Sequence, residues 1–133
     1  VQSITELLED KKHGVSLMVD PVGKVTERAF YKDDQLHGPS EWYDEKERLT
    51  RRVEYSEGLQ HGVTMDFHRN GNPSTLIEFT EDAKHGSDLA FFENGNIQRE
   101  ATYVDGEIVG DKDHGEVQLV TEIEKEIENL GLN

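Results

Sequence analysis

HGSDLAFFENGNIQREATYVDGEI, residues 85–108, is the stretch that decides the fold. The same frame recurs upstream as HGVTMDFHRNGNPSTLIEFTEDAK (61–84), HGPSEWYDEKERLTRRVEYSEGLQ (37–60) and HGVSLMVDPVGKVTERAFYKDDQL (13–36). His-Gly therefore occurs at positions 13, 37, 61 and 85, always 24 residues apart, and the next step lands on Val109-Gly110. A fixed period of this length marks a repeat architecture.

The columns of the repeat hold one chemistry each. The seventh is Val19, Tyr43, Phe67 and Phe91, and the nineteenth is Tyr31, Tyr55, Phe79 and Tyr103. The twenty-first is always acidic: Asp33, Glu57, Glu81 and Asp105. Apolar residues alternate in Met65/Phe67 and Leu89/Phe91, and again in Ile97, Ala101 and Tyr103, which is the period of a half-buried strand. Asn70-Gly71 and Asn94-Gly95 stand between the two strands of their units, and Asn-Gly favours a two-residue hairpin turn. Each unit thus reads as a β-hairpin. The whole reads as a mainly β, single-layer antiparallel meander of about eight to ten strands, with repeats contacting their neighbours. On this reading both aromatic columns pack as one shared ladder.

Composition agrees with a thin sheet. The chain has 133 residues, of which 33% are hydrophobic and 32% charged, so a deep closed core is not expected. There are 29 Asp+Glu against 14 Lys+Arg, a net charge of −15. That sign disfavours nucleic acid and anionic lipid and favours a basic protein partner. The absence of cysteine excludes disulfides and thiolate zinc sites and fits a cytoplasmic location. No apolar run reaches the ~20 residues of a membrane-spanning helix.

The ends read as caps. Ser3 and Glu6 have capping-box spacing, which predicts a helical N-terminal cap over 1–12. The repeats occupy 13–110. In 111–133 a degenerate unit, with a second His-Gly at His114-Gly115, precedes an amphipathic helix carrying Val120, Ile123, Ile127 and Leu130. The first residue is Val1 rather than Met, which suits a segment of a longer protein. Open sheet edges would allow homo-oligomerisation.

Units of this form, with Tyr/Phe-x-x-Asn-Gly-x-Ile followed by Tyr-x-x-Gly, resemble MORN repeats. The variant found in bacterial YwqK-type antitoxin proteins is the nearer likeness. The resemblance covers about residues 13–110 and is carried best by FFENGNIQREATYVDGEIVG (91–110) and DFHRNGNPSTLIEF (66–79). Asp44-Glu45-Lys46-Glu47 and Asp20-Pro21-Val22-Gly23 depart from it at the turn. It implies a β-hairpin repeat sheet with an antitoxin or immunity-like role, and it brings no catalytic residues or cofactor.

The residues themselves point the same way. Equivalent histidines are two strands apart, roughly 10 Å, too far for one metal with bonds of about 2 Å. The His column reads as a turn residue before a glycine. The acid pairs Asp33-Asp34, Glu81-Asp82 and Asp111/Asp113 read as a solvated rim, and no phosphate loop, calcium loop or nucleophile elbow is present. No enzyme, metal or cofactor is expected. Trp42 lies one position before the Tyr43 column and Phe92 one after the Phe91 column, so alternation sends both to the face opposite that ladder, with Asp66 in the Trp42 column. Aromatics on a polar face are typical interface anchors. The expected partner surface is Trp42, Asp66 and Phe92 with the acids Asp33, Glu57, Glu81 and Asp105. The function expected is a non-catalytic protein-binding module, an antitoxin or immunity-like inhibitor that blocks a basic toxin domain. The alternative is a repeat scaffold or regulatory domain of a larger protein.

Overall fold

The computed structural model describes residues 2–114, together with Ile127, Leu130 and Gly131. The strands are β1 (Gln2–Leu8), β2 (Lys11–Val19), β3 (Val25–Lys32), β4 (Gln35–Leu36), β5 (Gly38–Tyr43) and β6 (Leu49–Ser56). They continue as β7 (Leu59–Phe67), β8 (Pro73–Thr80), β9 (Ala83–Phe91), β10 (Ile97–Val104) and β11 (Glu107–Asp113). All belong to one antiparallel sheet in which sequence neighbours are spatial neighbours, the short β4 pairing only with β3. The described residues thus form eleven strands, one more than the upper expectation.

The extra strand comes from the N-terminus, where the expected helix is absent. Residues 2–8 form β1, paired with β2 from Gln2↔Val19 to Leu8↔Lys11 and tied by a Thr5–Ser16 hydroxyl bond of 2.8 Å. The 24-residue frame runs back through this segment: Thr5 stands where Ala29 and Val53 stand, and Glu6 where Glu54 and Glu78 stand. Ladder pairing therefore overrides a local helix-start signal. No helix caps the N-terminal end. The expected C-terminal helix falls on a segment that lies, apart from Ile127, Leu130 and Gly131, outside the described residues.

The two-residue turns are not where Asn-Gly predicts them. Asn70-Gly71 and Asn94-Gly95 do not form two-residue turns. They end three-residue loops, closed by His68 N–H to Asn72 C=O (2.8 Å) and by Phe92 N–H to Asn96 C=O (2.8 Å). Only the last loop residue is left-handed: Gly23, Glu47, Gly71 and Gly95 in the four units. The departing sequences adopt the same loop, because an Asx side chain sets it in every case. Asp20 and Asp44 accept loop amides from the first position, and Asn70 and Asn94 from the third. The two-residue turns lie instead at the unit junctions, at 9–10, 33–34, 57–58, 81–82 and 105–106, where both central residues have positive φ.

Register also separates the aromatic columns, which do not share a ladder. Ser16↔Ala29, Ser40↔Val53 and Thr64↔Ile77 are direct partners, and Tyr31, Tyr55 and Phe79 lie two residues further along the same strands, on that first face. Val19, Tyr43, Phe67 and Phe91 lie on the second face with Leu17, Met65 and Leu89. Burial concentrates on the first face, in Ala29, Val53, Ala101, Ser40 and Thr64. These small side chains are shaded by larger ones along the strand, which is the burial a single layer can provide.

Candidate functional site

The histidines of the repeat are not turn residues. His13, His61 and His85 lie inside strands, each in a bulge where three residues face one. In β7 the register passes from Thr64↔Val53 to Gln60↔Tyr55, so Glu54 alone faces His61–Val63. In β9, Glu78 alone faces His85–Ser87 in the same way. Bulges bend a strand and re-aim its side chains. The glycine of each bulge meets two partners. It sits directly opposite the aromatic residue of its own hairpin, as in Gly62↔Phe79 and Gly86↔Tyr103. A Cβ on Gly14, Gly62 or Gly86 would collide with the carboxylate of Glu6, Glu54 or Glu78. Sequence reasoning singled out neither Glu54 nor Glu78, and it took Glu6 for a helix-capping residue. Their signal is an acid eight residues before each of these glycines.

The acids expected as partner contacts form one line. Asp33, Glu57, Glu81 and Asp105 are each the first central residue of a junction turn, all exposed and left-handed, with φ of 50°, 50°, 47° and 49°. Glu9 precedes them in the same role, with φ 51°. Successive tips stand two strands apart, about 10 Å. Each tip is fastened to the preceding junction. Asp34, Gly58, Asp82 and Gly106 donate their N–H to the carbonyls of Lys12, Leu36, Gln60 and Lys84. Asp34 and Asp82 also accept the N–H of Lys12 and Gln60 at 2.7 Å. Where glycine replaces that aspartate, a histidine ring serves: His37 Nδ1 accepts the Glu57 N–H and His85 Nδ1 the Asp105 N–H, both at 3.2 Å. The rim is a regular row of carboxylates, each turn hydrogen-bonded to the one before.

Trp42 and Asp66 come together on the first face, separated by Arg51, which is the direct cross-strand partner of both. Arg51 Nη1 reaches Asp66 at 3.2 Å, and Thr75 donates its hydroxyl to the same carboxylate at 3.1 Å. Phe92 stands apart. It closes the three-residue loop 93–95 from the residue before it, at the opposite rim from the acids, and is not a strand residue on the Trp42 face. On the second face an open cleft of about 420 Å³ is lined by Val15, Leu17, Val25, Arg28 and Tyr43 among others. Burial, and then the Glu41 carboxylate, push the Tyr43 phenol above the usual tyrosine range, against the opposing pull of Arg28. At the neighbouring loop the Arg48 amide holds Asp44 below the usual carboxylate range.

Among the described residues no group of three His, Asp or Glu is placed to hold a metal ion. No helix among them is long and apolar enough to cross a membrane.

Residues 84–105 match the MORN repeat variant. The match covers β9 apart from Ala83, its three-residue loop, β10 and the first central residue of the next junction turn. No curated protein matches the chain. Among solved structures, a chain from the crystal structure of the GtfA/B complex bound to UDP and GlcNAc is similar, at 13% identity and a TM-score of 0.41. That likeness covers 90% of this chain and 25% of the other, so this chain spans about a quarter of its length. A MORN repeat is not a catalytic family, and it suggests a module that binds protein or membrane.

Proposed function

We propose that this chain is a non-catalytic protein-binding repeat module whose junction-turn rim steers a basic partner onto the first face, where Trp42 and Asp66 make contact. The observation that carries this reading is the glutamate at the rim. A left-handed residue other than glycine costs roughly 1–2 kcal/mol, and asparagine or aspartate relieves part of that through its short side chain. Yet Glu9, Glu57 and Glu81 hold this conformation at exposed positions. Strain kept at a regular set of exposed acids points to a use for the charge. A row of carboxylates about 10 Å apart offers complementary potential to a basic surface, which raises association rates more than final affinity.

The finer reading is an antitoxin or immunity-like inhibitor that blocks a basic toxin domain. It is supported by the net charge of −15 and by the likeness to the MORN repeat variant. Domains that attack nucleic acid carry basic phosphate-binding surfaces, so an acidic inhibitor has the right sign. The test is affinity capture from the native lysate at low and high salt, with the wild-type chain and with Glu57→Asn/Glu81→Asn. The reading expects one stoichiometric basic protein, held less well at high salt and by the variant. Proteins captured equally under all four conditions would leave the chain as a repeat scaffold of a larger assembly.

A further inference from the structure

The two outermost strands are complementary halves of one repeat. β1 occupies the positions that the second strand of a hairpin fills in every other unit, and β11 those of a first strand. Ten strands lie on the sheet path, so β1 and β11 run in opposite directions. A second copy placed with its β11 beside β1 would continue the antiparallel meander, each face meeting its like. Among the described residues no strand pairs with the outer side of β1 or of β11. β11 is exposed along its whole length, and β1 everywhere except Thr5. Half of the large apolar side chains exposed among the described residues lie on these two strands: Ile4, Leu7, Leu8, Ile108 and Val109.

The register follows from how each edge strand pairs with its inner neighbour; the β11 bulge, at Val109, is one residue shorter than in the other units, so Asp111 rather than Lys112 takes the place of Thr64. Asp111 pairs with Ala101 as Thr64 pairs with Val53, and Thr5 pairs with Ser16 as Val53 pairs with Thr64. Applying the hairpin register seen in Ser40↔Val53 then sets Asp111 opposite Thr5 of the next copy. One step either way sets Lys112 opposite Ile4 and Gly110 opposite Glu6; the next sets Val109 opposite Leu7. No like charges face each other directly, and the two most exposed apolar residues of these edges, Leu7 at 64% and Val109 at 63%, cover one another.

We propose that copies of this chain associate head to tail, β11 of one against β1 of the next. The contact is heterologous and does not close on itself, so it gives linear assemblies rather than a dimer. Mutual repulsion of chains carrying −15 opposes it, and salt screens that repulsion. Salt thus promotes self-association while it weakens the capture of a basic partner, and each reading can fail without the other.

The test is sedimentation of the full 133-residue chain over a range of concentrations at low and high salt. The expected result is an average mass that climbs past that of a dimer at high salt. Leu7→Lys alone and Val109→Glu alone, both at exposed positions, are expected to remain monomeric with unchanged circular dichroism. Their equimolar mixture is expected to regain association, because the introduced lysine on β1 of one variant then meets the introduced glutamate on β11 of the other. A monomer under every condition, a species that stops at a dimer, or association indifferent to Leu7→Lys would each overturn the proposal.

Discussion

The Glu78 carboxylate lies over Gly86 and accepts the N–H of the following residue, Ser87, at 2.6 Å. Glu54 reaches over Gly62 in the same way, its carboxylate 3.5 Å from the Val63 amide. An acid on one hairpin is thereby clasped to the bulge of the next. The clasp requires both the positive φ of Gly86, 107°, and the absence of its Cβ. Gly71 has a positive φ of 91° but open space around it. Gly86→Ala is expected to cost about 2–4 kcal/mol, from backbone strain plus the collision. Gly71→Ala should cost about 1 kcal/mol, from strain alone. Urea unfolding of the two variants measures the difference.

The collision and the strain can be separated. Shortening the acid as well, in Glu78→Ala/Gly86→Ala, removes the collision and leaves the strain. The pair should be non-additive by about 1 kcal/mol or more in a double-mutant cycle, as expected for residues in contact. Additive losses would mean that the carboxylate simply swings away.

The rim glutamates lead to an opposite pair of effects. Glu57→Asn and Glu81→Asn should each raise stability by about 0.5–1 kcal/mol, since asparagine tolerates the left-handed conformation better. The same variants should slow association with a basic partner and flatten its salt dependence. Chemical denaturation and surface plasmon resonance on the same samples give both numbers. A rim glutamate kept for folding alone would show loss of stability instead.

Much of this was legible in the sequence, and the misses have physical causes. Alternation and the 24-residue period were enough for the antiparallel meander, because ladder pairing and hydrophobic alternation both have period two. They did not place the turns. Asn-Gly suits two different hairpin loops, and the three-residue one is read only from the cross-strand register and its closing hydrogen bonds. The Ser3/Glu6 helix signal failed because β2 offers residues 2–8 a full ladder. The shared aromatic ladder failed because a bulge follows each three-residue loop: Phe91 pairs with Ile97 but Ala90 with Arg99, which turns Ala101 and Tyr103 to the face opposite Phe91. The acids Asp33, Glu57, Glu81 and Asp105 were found as a column, but their backbone strain is visible only in three dimensions.

Trp42 is the single tryptophan of the chain, so tryptophan emission, excited selectively, reports the first face alone. Its direct neighbours across the strands are Glu27 and Arg51. A partner steered by the rim and seated on this face should shift the emission of Trp42. Trp42→Phe should change stability by less than about 1.5 kcal/mol, as a hydrophobic swap does, yet speed dissociation of the complex. The rim variants act on the association rate, so the two sets separate steering from anchoring. An unchanged emission spectrum at saturation would move the partner off this face.

Tyr43 supplies a pH readout for the second face. Its phenol is held above the usual range first by burial and then by Glu41, while Arg28 pulls it down. Because the folded chain binds the phenolic proton more tightly than the unfolded chain, the unfolded state ionises first as pH rises. The stability contributed by the neutral phenol is complete below the unfolded value. It declines as pH climbs through the window between the unfolded and folded values. Glu41→Gln should lower the Tyr43 midpoint, and Arg28→Gln should raise it, both followed by phenolate absorbance with the other tyrosines replaced by phenylalanine. Equal midpoints in the three backgrounds would show that neither charge faces the ring.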